Sequence, residues 1–281
     1  MFPKGYTCDV PDTFDHEISQ PAPGLARANL LFARAIAYPD LRPSAYLAQL
    51  DDWAKTVQRR FNRADTALTR VGHLCDFLFG DLNLRGNRED YQDPRNSYLN
   101  EVMDRKTGLP ITLAVVFVEV GERIGLRVDG IGLPGHFVVG VRAEAGMYYF
   151  DPFNGGGEVT VEECDRLVRQ STGYSGKFDP GWLDPTPPLA IIGRMLNNLR
   201  GVYVQRDLWP EALAVVEHLR IAQPEEPAHL RDLGLLHYRN HSPRRAIELL
   251  TEYLTRAPTA PDAPSVQQSL ATIAGQYARL N

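Results

Sequence analysis

Two residues fifteen positions apart could do chemistry together: His136 in GIGLPGHFVVG and Asp151 in MYYFDPFNGG. An imidazole oriented by a carboxylate is a general base, and it activates a nucleophile when one lies beside it. The residues between them read as two strands, His136–Arg142 and Met147–Pro152, with a turn at Ala143–Gly146. A two- or four-residue loop there pairs Arg142 with Met147, and so sets Val138 opposite Asp151 and His136 opposite Phe153. Alternate residues of a strand share a face, which makes His136 and Asp151 diagonal neighbours within reach of each other. The plainer reading of His136 is a ring hydrogen-bonded at the start of a strand.

A nucleophile is harder to find. The segment before the hairpin, Pro110–Ile124, reads as a helix with proline at its first position and Gly125 just past its end. Ile111, Leu113, Val115, Val116, Phe117, Val118 and Val120 cover nearly every face, as expected of a central buried helix, and Glu119, Glu122 and Arg123 are confined to its last turns. Thr112 is the hydroxyl nearest its start; it could be activated by His136 or could bond backbone. Cys8, Cys75 and Cys164 are widely spaced and form no CxxC pair, so neither a disulfide framework nor a zinc site is indicated. Cys75 and Cys164 fall in amphipathic helices and read as packing residues. The seven histidines include no HExxH, and His237 and His241 fall near a helix end, so no metal is expected. Asn154 with Gly155–Gly157 reads as a tight turn; it lacks the strand–glycine–helix order and the lysine of a phosphate loop, and no cofactor is expected.

The elements that must position these residues follow from periodicity. Residues 1–24, with four prolines, read as an irregular arm. Helices are expected from Leu25 to about Ile36, over 44–61 with Ser44 as cap, and over about 65–78. Residues 81–97 are polar, and Asp93-Pro94 opens a helix through Met103. Strand signal covers Arg127–Leu133, helix signal 158–170, and residues 178–188 form a Pro-rich linker. Beyond it Ala212 and Ala246, Pro224 and Pro258, and Leu199 and Leu233 each recur at a spacing of 34, the period of tetratricopeptide repeats. Helix pairs are expected at 189–205 with 208–222 and at 226–239 with 242–256, then a capping helix at 263–279.

A net charge of −5 gives no electrostatic case for nucleic acid. The polar N-terminus lacks the apolar stretch of a signal peptide and no run approaches a membrane span, so a cytoplasmic protein without a membrane partner is expected.

The run LRGNREDYQDPRNSYLNEVMDRKTGLPITLAVVFVEVGERIGL, then GIGLPGHFVVG, then FDPFNGG, resembles the SirB-type bacterial proteins, and the likeness covers about residues 25–260. It implies an α+β fold: helices, then a transglutaminase-like (papain-like) helix with an antiparallel sheet over 25–177, then an all-α tetratricopeptide domain over 189–281. In the wider superfamily a cysteine at the start of the core helix is activated by a histidine, and an aspartate orients that histidine. His136 and Asp151 match the last two, while the cysteine position falls at Pro110, a departure shared by the SirB-type branch. The resemblance also places Arg85, Asn87, Asp90, Tyr91, Arg95, Asn96 and Asn100 beside the cleft as ligand-binding residues, with Asn154 at the strand end and the planar fork of Arg95 suited to a carboxylate. The expected function is a degenerate transglutaminase-like protein that lacks its nucleophile and binds a protein or peptide through its cleft and repeats. The alternative is a hydrolase or acyltransferase of altered chemistry that uses the retained pair.

Overall fold

The computed structural model describes residues 12–280; residues 1–11, with Cys8, and Asn281 lie outside the described part. The expected irregular arm is partly helical: α1 covers Phe14–Ile18, with Thr13 accepting from the His16 N–H. Phe14 and Ile18, one turn apart, are buried, and Phe14 meets the Phe32 ring edge-on. That apolar pair sits among prolines and glycines, which hide it in a compositional reading.

Helix α2 (Leu25–Ile36) starts at Gly24, which has no side chain to cap it. Glu119 supplies the cap from a distant helix, its Oε1 accepting from the Ala26 N–H at 2.7 Å. This bond and the Arg123 guanidinium partner the buried Glu119 carboxylate. Helix α3 (Pro43–Gln58) begins with Pro43 at its first position and Arg42 at the cap, so Ser44 lies inside the first turn and is not the cap. Helix α4 (Ala67–Cys75) is capped by Thr66 and runs on into a π-helical turn, Asp76–Asp81. The helix expected from Asp93-Pro94 is broken in two. Pro94–Ser97 is a 3-10 turn capped by Asp93, Tyr98 is extended, and α5 then covers Leu99–Arg105.

Helix α6 (Pro110–Arg123) is the buried centre, and only Glu122 and Arg123 of it are outside the buried set. Its Phe117 ring lies between Phe79 and Phe150, with centroids 6.4 and 6.2 Å away. Two-residue strands β1 (Arg85–Gly86) and β2 (Thr107–Gly108) pair in parallel at its entrance. Four antiparallel strands in sequence order cover it: β3 (Arg127–Ile131), β4 (Val138–Ala143), β5 (Gly146–Asp151) and β6 (Gly157–Val159). The β4–β5 register pairs Arg142 with Met147, as the turn length requires. Strand β6 takes the first residues of the segment expected as helix 158–170. Helix α7 (Val161–Thr172) starts only after Thr160, whose side chain and that of Glu163 cap each other's backbone N–H groups.

The Pro-rich segment is docked rather than loose. The Thr186 N–H bonds the Gly130 carbonyl at 2.8 Å, and Phe178 and Trp182 pack on a small cluster of Ile131, Leu133, Val138, Cys164 and Val168. Helices α8 (Pro188–Gln205), α9 (Trp209–Ala222), α10 (Ala228–Arg239), α11 (Pro243–Arg256) and α12 (Ala263–Leu280) then stack in sequence, each packing on its neighbour. Helix α8 belongs to both halves. Ile191, Ile192, Met195 and Leu196 join the same buried cluster as α2 and α6, and the hydroxyls of Tyr98 and Tyr203 meet at 2.7 Å.

Candidate functional site

His136 follows a turn in which its own N–H bonds the Leu133 carbonyl at 3.2 Å. Gly135 makes that turn at φ +70°, and a Cβ there would fall 2.5 Å from the Ser171 hydroxyl, so glycine is required twice over. From the far side of the Pro-rich segment, Arg194 Nη2 donates to the carbonyls of Leu133 and His136, at 2.8 and 2.7 Å. Its guanidinium also lies over the Phe137 ring. The histidine backbone is thus clamped by a residue of α8.

Asp151 closes β5 and is buried. Its Oδ2 lies 2.9 Å from His136 Nε2 and accepts from Asn154 Nδ2 at 2.6 Å, while Oδ1 accepts the N–H groups of Phe153 and Asn154. Burial pushes its pKa up, but these bonds to His136 and Asn154 outweigh burial and hold it below the ordinary value. A carboxylate held ionised only accepts, so Nε2 carries the proton it donates, and in the neutral ring Nδ1 is the basic atom. Among the described residues no group bonds Nδ1.

Phe153 walls this site. It meets the rings of His136 and Tyr91 edge-on, and the Arg88 guanidinium lies 5.6 Å above it. Arg88 also donates to Asn154 Oδ1, which ties the loop to the Asp151 turn. A Cβ on Gly86 would come within 2.5 Å of the Phe153 ring, so β1 can approach only without a side chain there. A pocket of about 210 Å³ opens beside the pair, lined by Asp151, Asn154, Val159, Glu163, Arg166, Leu167 and Gln170.

The polar-loop residues divide into two groups. Tyr91 and Asn154 touch the walls of the site. Asn87 and Asn96 are buried fasteners: Asn87 Nδ2 donates to Asn96 Oδ1 at 3.0 Å, and Asn96 Nδ2 donates to the Asp90 carbonyl at 2.8 Å. Arg95 does not present an open fork, since it grips Asp93 through Nε and Nη2. Asp93 is pushed up by burial but held low overall by Arg95 and Arg105. Asp90 is exposed, with Arg206 at 3.8 Å; Arg85 is exposed and joins β2 only through its backbone; Asn100 is buried, with Oδ1 unpartnered.

Among the described residues no nucleophile bonds the imidazole. Pro110 heads α6 and is buried. The Thr112 hydroxyl donates to the Asn96 carbonyl at 2.8 Å and accepts the Leu109 N–H at 3.0 Å, so its proton is committed to backbone. The expectation of a catalytic Thr112 gives way to this fastening role. Cys75 donates to the Gly156 carbonyl and Cys164 is fully buried; burial pushes the thiols up to about 12 and about 11. Among the described residues no three His, Cys, Asp or Glu side chains converge as a metal site would need. Sequence reasoning missed Arg88, Phe153 and Arg194. Arg88 lay in the polar loop already singled out, whereas nothing local marks Arg194.

A second concavity lies in the helical stack. It is a groove of about 710 Å³ with Val204, Trp209, Leu235, Tyr238, Arg239 and Ile273 in its lining. Val204 and Leu235 are exposed, and Arg239 lies over the Trp209 ring at 5.7 Å. Arg200 and Arg231 in the same groove are neutralised by Asp232 and Asp262.

The arrangement has relatives. The model of the transglutaminase-like superfamily matches residues 44–197, and a tetratricopeptide repeat model matches 199–271. A "UPF0162 protein" of Xylella fastidiosa is 32% identical over 250 residues, 88% of this chain and 89% of that one. A "UPF0162 protein" of Vibrio cholerae is 26% identical over 190 residues, 66% of this chain and 69% of that one. "F-box only protein 21" of Mus musculus is 32% identical over 101 residues, 33% of this chain and 16% of that much longer one. Among solved structures, menin, in a crystal structure described as revealing its binding site for the Mixed Lineage Leukemia protein, shares the fold. The TM-score is 0.50 at 14% identity, over 89% of this chain and 63% of menin. No helix among the described residues is long and apolar enough to cross a membrane.

Proposed function

The chain belongs to the transglutaminase-like superfamily, in the repeat-bearing UPF0162 branch, and from that membership we propose that it works as a binding protein whose thiol chemistry has been given up. The observation that carries this reading is the head of α6. By the resemblance the superfamily's cysteine position falls at Pro110, which heads this helix, and the nearest hydroxyl, on Thr112, is spent on backbone. What is kept is the His136–Asp151 pair, braced by Arg88 through Asn154 and by Arg194 through the His136 carbonyl, with Nδ1 left to meet an acyl or carboxylate group of a peptide or small ligand. The groove of α8–α12 has apolar side chains facing solvent and supplies the protein-binding surface, as repeats of this type do.

Esterase and glutamine-amidase assays on the full chain test this. Turnover is expected to equal that of the His136→Ala variant and of buffer. Turnover that disappears with both His136→Ala and Asp151→Asn would overturn the binding reading. It would support a hydrolase or acyltransferase in which His136 Nδ1 activates a bound water, a second reading favoured by the unpartnered state of that atom. Pro110→Cys sharpens the test: its thiol is expected to react with iodoacetamide at least about tenfold faster than Cys75 or Cys164 at neutral pH. His136→Ala should remove that advantage.

A further inference from the structure

At the end of the sheet remote from His136, Arg127 on β3 and Arg142 on β4 stand directly opposite each other. Like charges so placed repel, and an acid between them would be the usual remedy. Among the described residues neither guanidinium has an acidic partner or any hydrogen bond. Arg70 comes to the same place from the first turn of α4. Its guanidinium sits 5.1 Å over the Phe61 ring, and its Nε is buried with no hydrogen-bond partner. By contrast Arg27, Arg60, Arg123 and Arg200 all face carboxylates.

The three arginines line one cavity of about 370 Å³. Its wall includes Ala67, the first residue of α4, so the partly positive end of that helix faces the same space. Two acids also line it. Asp65 is already engaged, accepting the Asn62 N–H at 2.9 Å with the His73 ring at 3.4 Å. Glu144 projects from the exposed hairpin turn. Three donor forks that converge without partners, plus a helix N-terminus, call for an anion with more than two oxygens. A carboxylate would leave one fork unused, whereas a phosphate can serve all three.

We propose that this cavity binds a phosphate group, either inorganic phosphate or the phosphate of a small phosphomonoester. The site is separate from the His136–Asp151 cleft and does not depend on its function. The volume leaves room for a small organic body beside the phosphate.

Titration calorimetry on the full chain, in a phosphate-free buffer of low ionic strength, tests it with inorganic phosphate and with ribose 5-phosphate. Binding is expected for at least one, weakening as salt is raised. Arg127→Ser and Arg142→Ser remove exposed side chains, so both variants should melt with the wild type yet bind at least about tenfold more weakly, the size of a lost charge-assisted bond. Glu144→Gln should bind more tightly. A tighter fit for the ester identifies a phosphomonoester as the ligand, and equal affinities identify free phosphate. No heat and no thermal shift with either probe up to about 10 mM would overturn the proposal, because a folded-state ligand must stabilise by mass action. Binding unchanged in the Arg127→Ser and Arg142→Ser variants would overturn it as well.

Discussion

The His136–Asp151 cleft and the groove of α8–α12 are both concave, yet they are built in opposite ways. In the cleft nearly every polar atom is spoken for. Asp151 takes four hydrogen bonds, counting His136, Phe153 and the backbone and side chain of Asn154, and the His136 carbonyl is held by Arg194. In the groove, Val204 and Leu235 face solvent at 41% and 37% exposure, and Arg239 rests on Trp209 with no acidic partner among the described residues. A surface whose groups are already paired holds a fixed shape for a small ligand; one with bare apolar side chains gains by being covered. The cleft should therefore report damage as lost stability, and the groove should report it as lost binding.

The contrast can be broken most forcefully at Asp151. Asp151→Ala strips the partners from His136, Phe153 and Asn154 in a buried place and is expected to cost about 3 kcal/mol in urea unfolding. A loss below about 1 kcal/mol, the value of one ordinary hydrogen bond, would mean the cleft is not the rigid element described. Its titration gives a linked test. The folded pKa of Asp151 lies below its ordinary value, so its ionisation contributes stability above the ordinary carboxylate range, and that contribution is lost as pH falls through the folded value. Asp151→Asn should flatten this part of the pH–stability profile while lowering stability at neutral pH.

Smaller effects follow in order. Arg194→Ala frees two backbone carbonyls and should cost roughly 1–2 kcal/mol. It should also speed amide hydrogen exchange at the start of β4, which a change in remote packing would not do. Tyr98→Phe breaks the buried hydroxyl pair with Tyr203 and should cost about 1 kcal/mol. Leu235→Ser in the groove should leave stability within about 0.5 kcal/mol, as exposed substitutions do. A large loss there would show that the groove is structural after all and would erase the distinction between the two surfaces.

Much of this design is legible in the chain itself. The apolar run of α6 needs a buried helix, the turn length sets the Arg142–Met147 register, and the 34-residue recurrence marks the repeats. These are periodic signals, repeated over enough residues to outweigh local noise. The misses have a different physics. Strands β1 and β2 are two residues long, and what makes them is pairing between Arg85 and Thr107, remote in sequence. Strand β6 exists because β5 offers it an edge, and α7 begins only after it, at the Thr160–Glu163 capping pair. Asn87, Asn96 and Thr112 look like site residues because polar side chains in a loop look alike; whether they face a ligand or fasten backbone is decided by tertiary neighbours. The same holds for Arg95, whose fork was spoken for by the acid two residues before it.

Helix α8 carries a consequence for how the chain is made. Ile191, Ile192, Met195 and Leu196 complete a core whose other walls, α2 and α6, precede them by many tens of residues. During synthesis those walls leave the ribosome first and wait with an apolar face uncovered. The clamp on the His136 carbonyl, supplied by Arg194, arrives with the same helix. The cleft can therefore take its final shape only when translation has passed into the repeats, so a chain stopped in the Pro-rich segment would contain His136 and Asp151 but not the site.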